Sequence, residues 1–142
     1  MSDEGGRARR GAEYRGPEGA RVRTASGVSS QPVSAGEATV RQVLVGDDEA
    51  PNFALRRFVM QPGGGMPRHT NRVEHEQYVL RGQATVGIGD DEVSVEAGDV
   101  LYIPAGVPHF YHARGEEPFE FLCVVPNLPD RIEILEEAGG ES

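Results

Sequence analysis

The chain contains no lysine and no tryptophan, and only one cysteine, Cys123. A single thiol excludes a disulfide within the chain and a multi-cysteine zinc site. No apolar run approaches the roughly 18 residues of a membrane-spanning helix. Residues 1–23 lack the apolar stretch of a secretory leader, so the cytoplasm is the expected compartment. Positive charge is scarce as well. The 14 basic residues, all arginine, face 23 acids, for a net charge of −9. No nucleic acid and no membrane is expected as a partner, because phosphate-rich surfaces call for a basic patch. Long helical stretches are also missing: 19 glycines and 10 prolines punctuate the 142 residues. That much turn-forming backbone argues against a helical bundle and for short strands joined by turns.

Residues 1–36 read as a flexible N-terminal extension and linker. The first 23 carry six arginines against four acids and almost no large apolar side chain, the composition of disorder. From residue 37 the pattern changes. Strand-like runs follow one another: ATVRQVLV (38–45), FALRRFVM (53–60), EHEQYVL (74–80), QATVGI (83–88), EVSVE (92–96), VLYIP (100–104), 108–113 and PFEFLCVVP (118–126). Turn signals such as Arg81-Gly82 and Gly89-Asp90-Asp91 separate them, and Pro62-Gly63-Gly64-Gly65 is expected to break the second run. Short strands at this spacing predict an all-β sandwich or barrel over residues 37–130. Only RIEILEEA (131–138) has helical spacing, which predicts a short C-terminal helix and tail over 131–142.

The histidines carry the chemistry. Gly63 is followed by five residues and then His69; Asn71 comes two later, His75 four after that, and Gly82 seven further on. Downstream, Gly98 is followed by Pro104, Gly106 and His109. These two spaced motifs resemble those of the cupin superfamily, and specifically a small single-domain cupin-2 type barrel. In that family the first motif reads Gly, five residues, His-x-His, three or four residues, Glu, six residues, Gly. The second reads Gly, five residues, Pro-x-Gly, two residues, His, three residues, Asn. The resemblance covers roughly residues 38–126 and implies a jelly-roll, RmlC-like β-barrel. Three positions depart from the pattern: Asn71 replaces the second histidine, His75 the glutamate, and Ala113 the asparagine. VEHEQYVLRG resembles a subgroup of small bacterial cupins with histidine at the glutamate position.

The residues support a site on their own terms. His69 and Asn71 share a face of an extended segment, His75 enters on the next strand, and His109 arrives behind a Pro-x-Gly turn. Alternation places His75, Gln77 and Val79 inside and Glu74, Glu76 and Tyr78 outside. Three imidazoles converging in a barrel mouth suit one divalent transition metal, Mn, Fe, Ni or Zn, held by His69, His75, His109 and Asn71. The Asn71 oxygen either ligates weakly or orients a bound water. With no carboxylate among the ligands the ion keeps its full +2 charge, which favours an anionic small-molecule ligand or hydroxide over water. His112 falls on the opposite face and Cys123 reads as a buried core thiol. Arg56 and Arg57 must point to opposite sides, the inward one being able to hold a substrate carboxylate. Tyr102 and Phe110 read as core residues able to line the pocket.

Two functions fit. The first is a metal-dependent enzyme, dioxygenase- or isomerase-like, on a small organic molecule. The second is a non-catalytic ligand-binding cupin whose metal site is degenerate. A homodimer is expected, because VRQVLV carries a single charge and offers an unprotected sheet edge.

Overall fold

The structure is a computed structural model and describes residue 9 and residues 11–135. A small hairpin, β1 (Tyr14–Arg15) and β2 (Arg21–Val22), comes first. Then follow β3 (Gln31–Pro32), β4 (Glu37–Val45), β5 (Phe53–Thr70), β6 (His75–Arg81), β7 (Gln83–Ile88) and β8 (Asp91–Glu96). The series closes with β9 (Val100–Ile103), β10 (His109–Arg114), β11 (Phe119–Pro126) and β12 (Glu133–Ile134). Strands β3 to β12 form one curled antiparallel sheet in the order β8-β7-β10-β5-β11-β6-β9; β4 and β12 also pair with β5, and β3 with β4. The expected all-β barrel is therefore present.

Strand β5 organises the barrel. Its residues 53–60 lie against β4 and β11, and its far end against β10 and β12. The expected break at 62–65 is instead a bend inside one 18-residue strand. Gly63 (φ 84°) and Gly65 (φ 154°) take backbone conformations that side chains resist, so the strand turns without losing its ladder. A Cβ at Gly65 would collide with the Tyr111 carbonyl, which sets how closely β5 and β10 approach.

Alternation fills the interior. Met60, Val79, Ile103, Phe119 and Cys123 are fully buried, and Phe58, Phe121 and Tyr111 form a stacked ladder with centroids 5.1 and 5.2 Å apart. Truncating a buried phenylalanine here would cost about 3–5 kcal/mol.

Both ends of the chain differ from a plain extension and helix. Of the stretch expected to be a flexible extension, residues 1–8 and 10 lie outside the described residues. Arg23 ties the described part to the barrel: its guanidinium meets Glu49 at 2.7 Å, Glu13 at 2.9 Å and the Leu44 carbonyl at 2.6 Å. Gln42 Nε2 donates to the carbonyls of Ala25 and Val28, both at 2.8 Å. At the other end, the described part of 131–142 is not helical. Glu133 and Ile134 pair with Thr70 and His69, and the Leu135 N–H donates to Arg68 O at 2.8 Å. RIEIL alternates as readily as it follows a helical period, and the open edge of β5 supplies the ladder partners that decide the matter. Residues 136–142 lie outside the described residues. Among the described residues no helix is long and apolar enough to cross a membrane.

Candidate metal and ligand site

The three motif histidines come from strand ends at one mouth of the barrel. His69 is the next-to-last residue of β5, His75 opens β6 and His109 opens β10. His69 and His109 are cross-strand partners, with ring centroids 4.2 Å apart; His75 lies 5.6 Å from His109. All three are buried, as is Asn71 in the connection after β5. The Gly106 N–H donates to Asn71 O at 2.8 Å, so the Pro-x-Gly turn that delivers His109 is tied to the loop that delivers Asn71. His75, Gln77 and Val79 point inward and Glu74, Glu76 and Tyr78 outward, as alternation requires.

Hydrogen bonds fix the tautomers. His69 Nδ1 lies 2.7 Å from Pro67 O and His109 Nδ1 2.9 Å from Val107 O. A carbonyl only accepts, so each Nδ1 carries the proton and each Nε2 presents a lone pair. His75 Nδ1 faces Cys123 Sγ at 3.2 Å, and its buried Nε2 has no partner. Burial holds all three rings neutral. Desolvation, reinforced by the Arg56 charge, pulls His75 down to about 3; desolvation and then His69 take His109 to about 4; His69 is lowered by burial as well. Neutral imidazole is the form that binds metals.

Asn71 is oriented by a residue the sequence did not single out. Its Nδ2 donates to Asp130 Oδ2 at 3.1 Å, while the Arg72 N–H donates to Oδ1 at 2.7 Å. A carboxylate only accepts, so the amide nitrogen must face Asp130. The Asn71 oxygen is then left buried and without a partner.

Among the described residues, no three His, Cys, Asp or Glu side chains close tightly enough to hold an ion as they stand. The donor chemistry nevertheless fits one. Two imidazoles present fixed lone pairs, and the orphaned buried atoms include His75 Nε2 and Asn71 Oδ1. Buried polar atoms without partners are rare and commonly mark an ion or water.

The lumen they line holds about 60 Å³, room for about four or five water-sized positions. Gln77 and Tyr111 bond to each other across it at 2.7 Å. Burial raises the Tyr111 hydroxyl far above its ordinary range, so it stays protonated. Asn71 also borders an outer hollow of about 470 Å³ shared with Arg72, Gly106 and Arg131. Cys123 is buried, as expected, but it forms part of the site wall rather than plain core. Its in-phase position with Phe119 and Phe121 on β11 was the available signal. His112 is exposed on the outer face. Tyr102 is exposed rather than core, and Phe110 packs outside the lumen, with the Arg68 guanidinium 5.9 Å from its ring. Of the adjacent arginines, Arg56 lines the lumen and Arg57 faces out, bonded to Glu120 at 2.6 Å.

Residues 56–125 match the family model described as Cupin domain. The polyketide cyclase RemF of Streptomyces resistomycificus is 29% identical, with a TM-score of 0.72 over 80% of this chain and 85% of that one. A cupin 2 domain-containing protein of Halorhodospira halophila is 30% identical, with a TM-score of 0.65 over 87% and 82%. Oxalate decarboxylase OxdC of Bacillus subtilis is 32% identical over 93 residues, 62% of this chain but only 23% of that larger protein. A second curated relative, mannose-1-phosphate guanylyltransferase 2 of Escherichia coli O157:H7, is 30% identical over 79 residues, of which the chain covers 16%.

Proposed function

The chain belongs to the cupin family, and from that membership we propose that it is a cytoplasmic, metal-dependent enzyme, dioxygenase- or isomerase-like, acting on a small organic molecule. His69, His75 and His109 would hold one divalent transition metal, Mn, Fe, Ni or Zn, with Asn71 as a weak fourth donor. The observation that carries this reading is the pair of orphaned buried atoms, His75 Nε2 and Asn71 Oδ1, beside two imidazoles whose Nδ1 protons are committed to backbone carbonyls. When bound, the ion supplies a Lewis acid to polarise a ligand oxygen. The chain's own residues do the rest. Asp130 orients the Asn71 amide, the Gln77 and Tyr111 side chains satisfy each other across the lumen, and the stacked Phe58, Phe121 and Tyr111 rings supply an apolar wall. That relatives include a polyketide cyclase and an oxalate decarboxylase favours catalysis.

Elemental analysis of the purified protein tests this reading. One equivalent of a divalent transition metal, lost in His75→Ala, supports it. Metal-free protein whose thermal midpoint ignores added Mn, Fe, Ni and Zn sinks it. The second reading, a ligand-binding cupin with a degenerate site, is favoured by Asn71 in place of a histidine and by rings that do not close around one point. Metal uptake without turnover of any small organic acid or ketone would select it.

Pairing into a homodimer belongs to the same proposal. β3 covers the outer edge of β4 only at Val40 and Arg41. Tyr78, Leu80, Val100 and Tyr102 add an exposed apolar face on β6 and β9. Light scattering should give about twice 15.3 kDa; a single-chain mass at all concentrations would refute it.

A further inference from the structure

Four buried side-chain atoms among the described residues lack any hydrogen-bond partner: His75 Nε2, Asn71 Oδ1, Arg41 Nε and Arg56 Nε. All four residues line the same lumen. Asn71 Oδ1 is an acceptor, as is His75 Nε2 in the tautomer whose Nδ1 proton faces Cys123 Sγ, and both then await a cation. The last two are donors, and they await the opposite.

Strand register places the arginines together. Arg41 on β4 is the cross-strand partner of Phe58, and Arg56, two residues before Phe58 on β5, pairs with Val43. Cross-strand partners share a face, so both guanidinium groups enter the barrel from one wall. Arg56 lies 5.1 Å from the Phe58 ring centroid and sends Nη2 to within 3.3 Å of Cys123 Sγ and 3.5 Å of His75 Nδ1. Elsewhere Arg23, Arg57 and Arg81 each meet a carboxylate. Among the described residues Arg41 and Arg56 meet none. Burial, and then the Arg56 charge, hold Arg41 below the usual arginine range, the mark of two cations sharing an apolar wall without a counterion.

Two half-buried cations without an anion are costly, and a fold that keeps them needs a reason. We propose that Arg41 and Arg56 form an anion subsite inside the barrel, which takes the carboxylate of a small organic acid and presents its remaining atoms to the histidine cluster. This deepens the reading of the lumen as a ligand site. Two guanidinium edges match the two oxygens of one carboxylate. Gln77 and Tyr111 are committed to each other, so few further donors remain for the extra oxygens of a phosphate. The walls beyond are apolar, Phe58, Phe121, Met60 and Met66, and a lumen of about 60 Å³ suits a small acid.

Calorimetric titration of the full chain with glycolate, and with its neutral amide glycolamide, tests the subsite in EDTA-treated and in metal-loaded protein. Glycolate should bind in both states, at least about tenfold more tightly than glycolamide. Arg41→Gln and Arg56→Gln should each weaken glycolate by about tenfold or more, and Arg41→Lys should weaken it less than Arg41→Gln. Arg41→Gln removes a cation with no partner and should leave the protein folded, with a thermal midpoint at or above the parent's. Arg56→Gln gives up its contacts to Cys123 and Phe58 and should stay folded with a slightly lower midpoint. Arg41→Lys keeps the charge should Arg41→Gln misfold. Binding that survives EDTA and fails in the glutamine variants upholds the subsite even if the protein takes up no metal. Binding that requires metal and ignores the arginines overturns it while leaving the metal proposal intact. Equal affinity for acid and amide, or no glycolate binding in either state, also overturns it.

Discussion

Arg56 and Arg57 are neighbours in the chain and occupy opposite worlds. On the outer face of β5, Arg57 bonds Glu120 at 2.6 Å and Gln42 at 2.8 Å, and Arg81 reaches the same carboxylate at 3.4 Å. On the inner face Arg56 and Arg41 have no carboxylate, and the imidazoles beside them are neutral. β10 repeats the contrast, with His109 buried inside and His112 exposed outside. On the outer face Arg57 and Arg81 meet the Glu120 carboxylate, whereas inside Arg41, Arg56, His75 and Asn71 each keep a buried polar atom without a partner. A wall with unsatisfied donors and acceptors is less stable than an apolar one of the same shape, so it marks where the molecule departs from simple packing.

The largest expected effect separates the two histidines of β10. His109→Ala should lower metal affinity by about a hundredfold or more, while His112→Ala leaves it unchanged, both read by metal titration. Equal losses would dissolve the distinction between the faces.

The next effect is on pH. His75 and His109 have folded pKa values of about 3 and 4, below the ordinary imidazole value near 6.5. Protons therefore bind the unfolded chain first. Metal-free stability should be complete above about pH 6.5 and fall as pH drops from there toward 3–4, by about 1 kcal/mol per buried imidazole at pH 5.5. Urea midpoints at pH 7.5 and 5.5 check this, and equal midpoints would mean that water reaches the rings.

Arg57→Met should destabilise by about 1–2 kcal/mol, because it leaves the largely buried Glu120 with only the longer contact to Arg81 at 3.4 Å. Arg41→Met should be neutral or stabilise by up to about 1 kcal/mol, as it removes a cation with no partner. Denaturant unfolding of the two variants gives opposite signs if the faces differ as described. The smallest effect is expected from Asn71→His. Exchanging a neutral amide oxygen for an imidazole should tighten metal binding by about tenfold; unchanged or weaker affinity would show that position 71 does not address the metal.

Much of this was legible in the sequence because it depends on local periodicity. The spacing of His69, His75 and His109 against their glycines predicted that they meet, and alternation chose His75 over Glu74 and Glu76. What was not legible depends on register between distant strands. Asp130 reaches Asn71 across 59 positions, Cys123 reaches His75 across 48, and Arg41 meets Arg56 only because β4 pairs with β5 in one particular register. The C-terminal strand was misread for a related reason. Ile132 and Leu135 fit a helical period and Ile132 and Ile134 a strand, and the choice belonged to an edge of β5 that no local pattern reveals.

The segment after β11 does more than finish the sheet. Asp130 steers Asn71, Ile132 lines the lumen, and β12 pairs with Thr70 and His69 at the end of β5. A cut or fusion between Pro126 and Asp130 would leave the barrel strands in place yet strip the mouth of one wall and of the group that aims its amide. Limited proteolysis could thus yield a protein with an unaltered circular dichroism spectrum and an altered ligand preference. Work with trimmed or tagged versions of this chain should treat residues 127–135 as part of the binding chamber.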